Sequence, residues 1–134
     1  KNIKSVQKSF SEDGQISRVF YGESIGKTRY ARMCTTAPIK QDGRAISEAH
    51  SLLKTFVSAP TPESAFAFFH KFAITMPYGR GSCAVNEWVL AAACNVMGMP
   101  MPQQSIFAEF DQVAQISTRD EFVAFMMVKI TLNQ

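Results

Sequence analysis

Hydrophobic and polar positions follow different rhythms in different parts of the chain. Near the N-terminus Ile3, Ser5, Gln7 and Ser9 alternate with Lys4, Val6, Lys8 and Phe10, and Asp13-Gly14 then supplies a turn. Ile16 to Tyr21 is rich in β-branched and aromatic residues and is expected to return as a second strand, with Gly22 and Gly26 around the next turn. Lys27 to Thr36 reads as a third strand, stopped by Pro38 and followed by a turn at Gln41-Asp42-Gly43. In residues 45 to 59 the rhythm changes. Ile46, Ala49, Leu52, Leu53, Phe56 and Val57 form a helical stripe. Read as a strand, the segment puts Ile46, His50, Leu52, Lys54 and Phe56 on one side, a poorer separation. Both readings stay open and the pattern alone favours helix, with Pro60 and Pro62 closing the segment in either case.

Ser64 to Thr75 is a dense phenylalanine run. Phe66, Phe68, His70, Phe72 and Ile74 alternate with Ala67, Phe69, Lys71, Ala73 and Thr75, and the aromatic content tilts the expectation to a strand ending at Pro77 and Gly79. The clearest element follows. Ser82 is the expected N-cap of a helix striped by Val85, Trp88, Val89, Ala92 and Val96, with Gly98 as its C-cap and Pro100 and Pro102 beyond. A second helix is expected from near Gln103, carrying Ile106, Phe107, Phe110 and Val113. Thr118 with Asp120 and Glu121 suits the start of a third. Phe125 to Leu132 reads equally as its continuation or as a strand.

A chain of 134 residues can bury a core without staples, so residues 1–134 are expected to form one domain. Most of the 7 Met and the longest apolar runs lie after Ser64, which points to surface hidden against another copy. No run reaches the ~20 apolar residues of a membrane span: Phe122 to Ile130 is too short and holds Lys129. Lys1-Asn2-Ile3-Lys4 leads into no apolar run, so no signal peptide is expected and the compartment is read as cytoplasmic. Net charge is +3, but nine basic residues fall between Lys1 and Arg44 against Glu12, Asp13, Glu23 and Asp42. That asymmetry suits either a polyanion partner or a solvated basic surface.

The chemistry-bearing residues are few. Cys34, Cys83 and Cys94 are odd in number with no CxxC spacing, and only His50 and His70 accompany them, so no disulfide framework, metal or cofactor is expected. Cys83, at a helix start with Arg80 nearby, is the one candidate nucleophile. The run GRGSCAVNEWVLAAACNVMGMP resembles the cysteine helix of transglutaminase-like proteins, and Ser105 to Glu109 stands where that family's base strand would come. Serine occupies the place of the histidine, and no histidine follows His70. A transglutaminase-like cysteine hydrolase, or its inactive relative, is therefore the alternative, and buried apolar packing is the expected role of the three thiols. Gly79-Arg80-Gly81-Ser82 lacks a Walker ending, and the His and Asn of a Fic-type loop are absent too. A small module binding a protein partner is a third class.

Taken in order, the elements resemble the coat proteins of the single-stranded RNA bacteriophages, the levivirus group. The similarity is carried by Ala73-Ile74-Thr75-Met76-Pro77, then a polar loop with a cysteine, an apolar helix, the break at Gly98, Pro100 and Pro102, and a helix opening near Ser105-Ile106. Upstream, Tyr30 to Pro38 and the turn Asp42-Gly43-Arg44 look like the family's strand-then-Pro segment. The resemblance implies an α+β fold: an N-terminal hairpin and antiparallel sheet followed by C-terminal helices, paired as an intertwined dimer. It further implies a non-enzymatic capsid protein that assembles with itself into an icosahedral virion shell and has no membrane partner. Its inner sheet face would bind the RNA genome or an operator hairpin. The candidate RNA-binding residues are then Arg29, Arg32, Lys54, Lys71 and Thr75, provided their segments are strands of one sheet. Sheet content separates this class from the other two, which need residues 45 to 75 to be mostly helical.

Overall fold

The computed structural model describes residues 6–12, 15–23, 29–35, 44–75, 81–106 and 108–132. From Arg44 onward the described chain is built of helices: α1 (Arg44–Ser58), α2 (Pro62–Thr75), α3 (Ser82–Val96), α4 (Glu109–Ile116) and α5 (Arg119–Leu132). This body is 80% helical and contains no strand. Ahead of it the backbone of Val6–Glu12 (β1), Gln15–Glu23 (β2) and Arg29–Thr35 (β3) pairs antiparallel in the order β1-β2-β3. The turns expected at Asp13-Gly14, Gly26 and Gln41-Asp42-Gly43, and the loop from Pro77 to Arg80, lie outside the described residues.

The expected fold class is overturned. A coat-like α+β architecture needs its sheet to run through residues 45 to 75, and those residues are α1 and α2. The intertwined dimer, which depends on that sheet, loses its basis with it. The physical reason lies in α2. Nine of its 14 residues are buried, His70, Lys71 and Thr75 among them, so it is enclosed on almost every side, and a run with so few outward positions shows no period that distinguishes strand from helix. What does mark it is its start. Thr61 and Ser64 exchange side-chain-to-backbone hydrogen bonds, with Pro62 at the first helical position.

α2 is the hub. Phe66, Phe69 and Ala73 pack with Leu90 and Cys94 of α3, Phe110 and Ala114 of α4, and Phe122 and Met126 of α5. Phe69 stacks on Phe122 with centroids 5.5 Å apart and meets Phe110 edge-on at 6.4 Å. Polar side chains tie the same helices. Gln115 donates to the carbonyl of Ala73, one of the four that α2 leaves without an intrahelical partner, and Asn86 donates to that of Phe69. His70 is fully buried, and its Nε2–H donates to the Ser117 carbonyl at 2.8 Å, since a carbonyl only accepts.

The α3 helix forms where the pattern placed it, with two differences. Gly81, at φ 83°, is the N-cap, and Ser82 is the first helical residue and buried. Its end is a Schellman arrangement: the Met99 N–H reaches the Cys94 carbonyl and the Gly98 N–H that of Asn95, with Gly98 at φ 67°. The second difference is its orientation. Ser82, Asn86, Leu90, Ala93 and Cys94 face inward, whereas Trp88 and Val96 of the apolar stripe stand 70% and 65% exposed. α4 begins at Glu109, later than the expected Gln103, because Gln104 turns its side-chain carbonyl back to the Phe110 N–H. Thr118 and Glu121 form a capping box for α5, which runs to Leu132 and so resolves the tail as helix.

Candidate functional site

The charged residues expected to share an RNA face do not share a sheet. Arg29 and Arg32 lie on β3, while Lys54, Lys71 and Thr75 lie on helices α1 and α2. Lys54 is exposed. Lys71 is buried, its ammonium 2.8 Å from Glu48 Oε2 of α1. Thr75 is buried too, and its hydroxyl donates to the Lys71 carbonyl one turn back at 2.7 Å. The premise of one sheet face is corrected: Lys71 joins α2 to α1, and Thr75 bonds within its own helix.

Cys83 sits among acids. Its thiol lies 3.6 Å from Glu87 Oε1, which also accepts from the Gln104 amide at 3.1 Å. Burial, with the negative fields of Asp111 and Glu87, pushes the Cys83 thiol up to about 12. A nucleophile needs the opposite environment, since only the thiolate attacks. Asp111 is in turn pushed up to about 6, first by burial and then by Glu87. Glu109, where the alternative looked for the end of a base strand, begins a helix. Its carboxylate binds Lys129 at 3.2 Å and the Ser105 N–H at 2.7 Å. Burial raises Cys94 as well. Among the described residues no group of three His, Cys, Asp or Glu could hold a metal ion. No helix among them is long and apolar enough to cross a membrane.

The feature that charge-reading missed is an apolar groove. α1 and α3 stand on either side of α2, and between them lies a hollow of about 140 Å³. Its walls are Leu53, Phe56 and Val57 of α1 and Val89, Leu90, Ala92, Ala93 and Val96 of α3. Ala65, Phe68 and Phe69 of α2 form the floor. Among the described residues the lone polar side chain lining it is Asn86, 1% exposed, whose Nδ2 donates to the Phe69 carbonyl while Oδ1 is buried with no hydrogen-bond partner. The rim continues the apolar surface: Val57 is 69% exposed, Val96 65% and Trp88 70%. The stripe Val85, Trp88, Val89, Ala92, Val96 was the sequence signal for this face, pointing outward rather than to the core.

No protein-family model matches the chain, and neither a curated protein nor a solved structure matches it.

Proposed function

We propose that this chain is a binding module, not an enzyme, and that it works by covering the α1–α2–α3 groove and the outer face of α3 with an apolar partner surface. One observation carries the reading: α3 is apolar on both sides, with Leu90, Ala93 and Cys94 inside and Trp88, Ala92 and Val96 outside. A helix that is hydrophobic all round belongs in an interior, and a contiguous exposed apolar patch marks an interaction site. The helical state of residues 45 to 75 favours this class over a sheet-built coat. The acidic setting of Cys83 favours it over a cysteine hydrolase.

The test is the fluorescence of anilinonaphthalene sulfonate, a dye that brightens in apolar clefts. Ala92 lines the groove yet is exposed, so Ala92→Glu places a charge at its mouth without entering the core. Dye enhancement is expected with the wild-type protein and with Val128→Glu, a control on α5 whose side chain is 58% exposed. It is expected to be lost in Ala92→Glu at an unchanged melting temperature. Equal enhancement in all three would overturn the reading.

A further inference from the structure

We infer that Cys94, Met99 and Met101 form a binding site for a soft monovalent cation, Cu(I), where the end of α3 turns into the loop before α4. The three sulfur donors fall within eight residues of sequence. The helix cap brings the first two together. Gly98, at φ 67°, reverses the chain, and the Met99 N–H lies 3.0 Å from the Cys94 carbonyl. In this cap the side chain that follows the glycine commonly packs on the helix position that here is Cys94.

Beyond the cap the chain is held extended. Met99 and Met101 each precede a proline, which disfavours helical backbone at both. Exposure alternates accordingly: Gly98 and Pro100 are exposed, Met99 and Met101 half-buried. Positions two apart in extended backbone share a side. Both methionines pack against the buried cluster that contains Cys94. Met97 does not join them, because it packs against the other cluster, of Phe56, Ala65 and Ala93.

The donor set selects the ion. Cys94 is 1% exposed and free, and no hydrogen bond engages its thiol among the described residues. One thiolate and two thioethers are soft ligands, the kind that Cu(I) prefers. Zinc instead takes thiolate, imidazole and carboxylate, and among the described residues no three of those come together. Methionine has three rotatable bonds and a polarizable sulfur, so both thioethers can swing onto an ion without moving the backbone. On coordination the Cys94 proton passes to water, so one Cu(I) exchanges for one proton and no oxidation state changes.

The test is an anaerobic titration with Cu(I) held as its bicinchoninate complex. The full chain carries Cys34→Ala and Cys83→Ala, so that Cys94 is the one remaining thiol. One Cu(I) per chain is expected to bind, with no comparable uptake of Zn2+, and Cys94→Ala is expected to abolish it. Met99→Leu and Met101→Leu keep the side-chain volume and are each expected to weaken binding roughly ten-fold or more, the loss that even an outer-shell partner causes. Met97→Leu is expected to bind as its parent does. Spectra of the chain labelled with 13C at the methionine methyls need no substitution at the site. There Ag(I), a redox-inert stand-in, is expected to shift Met99 and Met101 and to leave Met97 in place. No Cu(I) binding, binding untouched by either leucine, or an equal response at Met97 would each overturn the inference. So would a loss confined to Cys94→Ala, which would leave a bare thiol reaction in place of a three-sulfur site.

Discussion

Lys71 of α2 and Glu48 of α1 are joined at 2.8 Å, with the lysine side chain 4% exposed and the glutamate 41%. The cation is thus inside the α1–α2 contact and its counter-ion sits at the edge. Removing Glu48 withdraws its carboxylate from the inward lysine, whereas a methionine in place of Lys71 fills the same space and leaves Glu48 at the edge, where water solvates it. Glu48→Gln is expected to destabilise the fold by about 2 kcal/mol in urea denaturation, and Lys71→Met to stay within about 1 kcal/mol of wild type. The same Lys71→Met variant is expected to leave any affinity for RNA unchanged, because the ammonium is not on the surface.

The acidic setting of Cys83 makes a kinetic prediction. With its thiol pushed up to about 12, the thiolate fraction at neutral pH is about a thousand-fold below that of an ordinary cysteine near 9. Iodoacetamide is expected to alkylate Cys83 more slowly than free glutathione by orders of magnitude, followed by peptide mass spectrometry. Glu87→Gln removes both a negative field and the 3.6 Å contact and is expected to speed the reaction. Fast modification of Cys83 in the wild-type protein would return the nucleophile reading to consideration.

Asp111 gives a pH dependence of definite sign. Its carboxyl is raised from 3.8 to about 6 in the folded protein, by burial and by Glu87, so the native state holds its proton more tightly than the unfolded chain. The stability this contributes is full below about pH 4 and is lost as pH rises through about 6. The shift of some two units corresponds to roughly 3 kcal/mol as an upper bound. Asp111→Asn is expected to flatten this slope and to raise the melting temperature at pH 8 but not at pH 4, read by calorimetry at both. An equal gain at the two pH values would refute the assignment.

Helices were legible where polar residues interrupt the apolar ones. The stripe from Ile46 to Val57 favours the helix that α1 is over the strand that the coat resemblance requires, and Thr118 with Glu121 marks the start of α5. α2 is a helix where the aromatic run suggests a strand, because residues Ala65 to Thr75 have almost no outward position to set a period. For α3 the element was legible and its orientation was not. Asn86 is polar and inside, made tolerable by its bond to the Phe69 carbonyl, while Trp88 is aromatic and outside. Hydrophobicity alone ranks those two the other way round. The groove was invisible to sequence reading, since its walls come from three helices whose arrangement no local pattern specifies. The candidate RNA residues Lys71 and Thr75 instead turn their polar atoms inward once the segment is helical.

The two histidines separate cleanly by position, and substitution can show it. His70 has no exposed surface, its Nε2–H bridges α2 to the Ser117 carbonyl at the α4–α5 corner, and its ring lies 5.6 Å from that of Phe122. His70→Ala deletes that bond, leaves a buried carbonyl without its donor and opens a void against the aromatic core. Together these are expected to cost about 3 kcal/mol or more. His50 lies on the exposed side of α1, and His50→Ala is expected to fall within about 0.5 kcal/mol of wild type. Urea denaturation of both variants is the measurement. A His70→Ala protein as stable as wild type would remove this histidine from the structural core and make its burial unexplained. A clear loss of stability, with no comparable loss for His50→Ala, would fix His70 as the pin between α2 and the C-terminal helices.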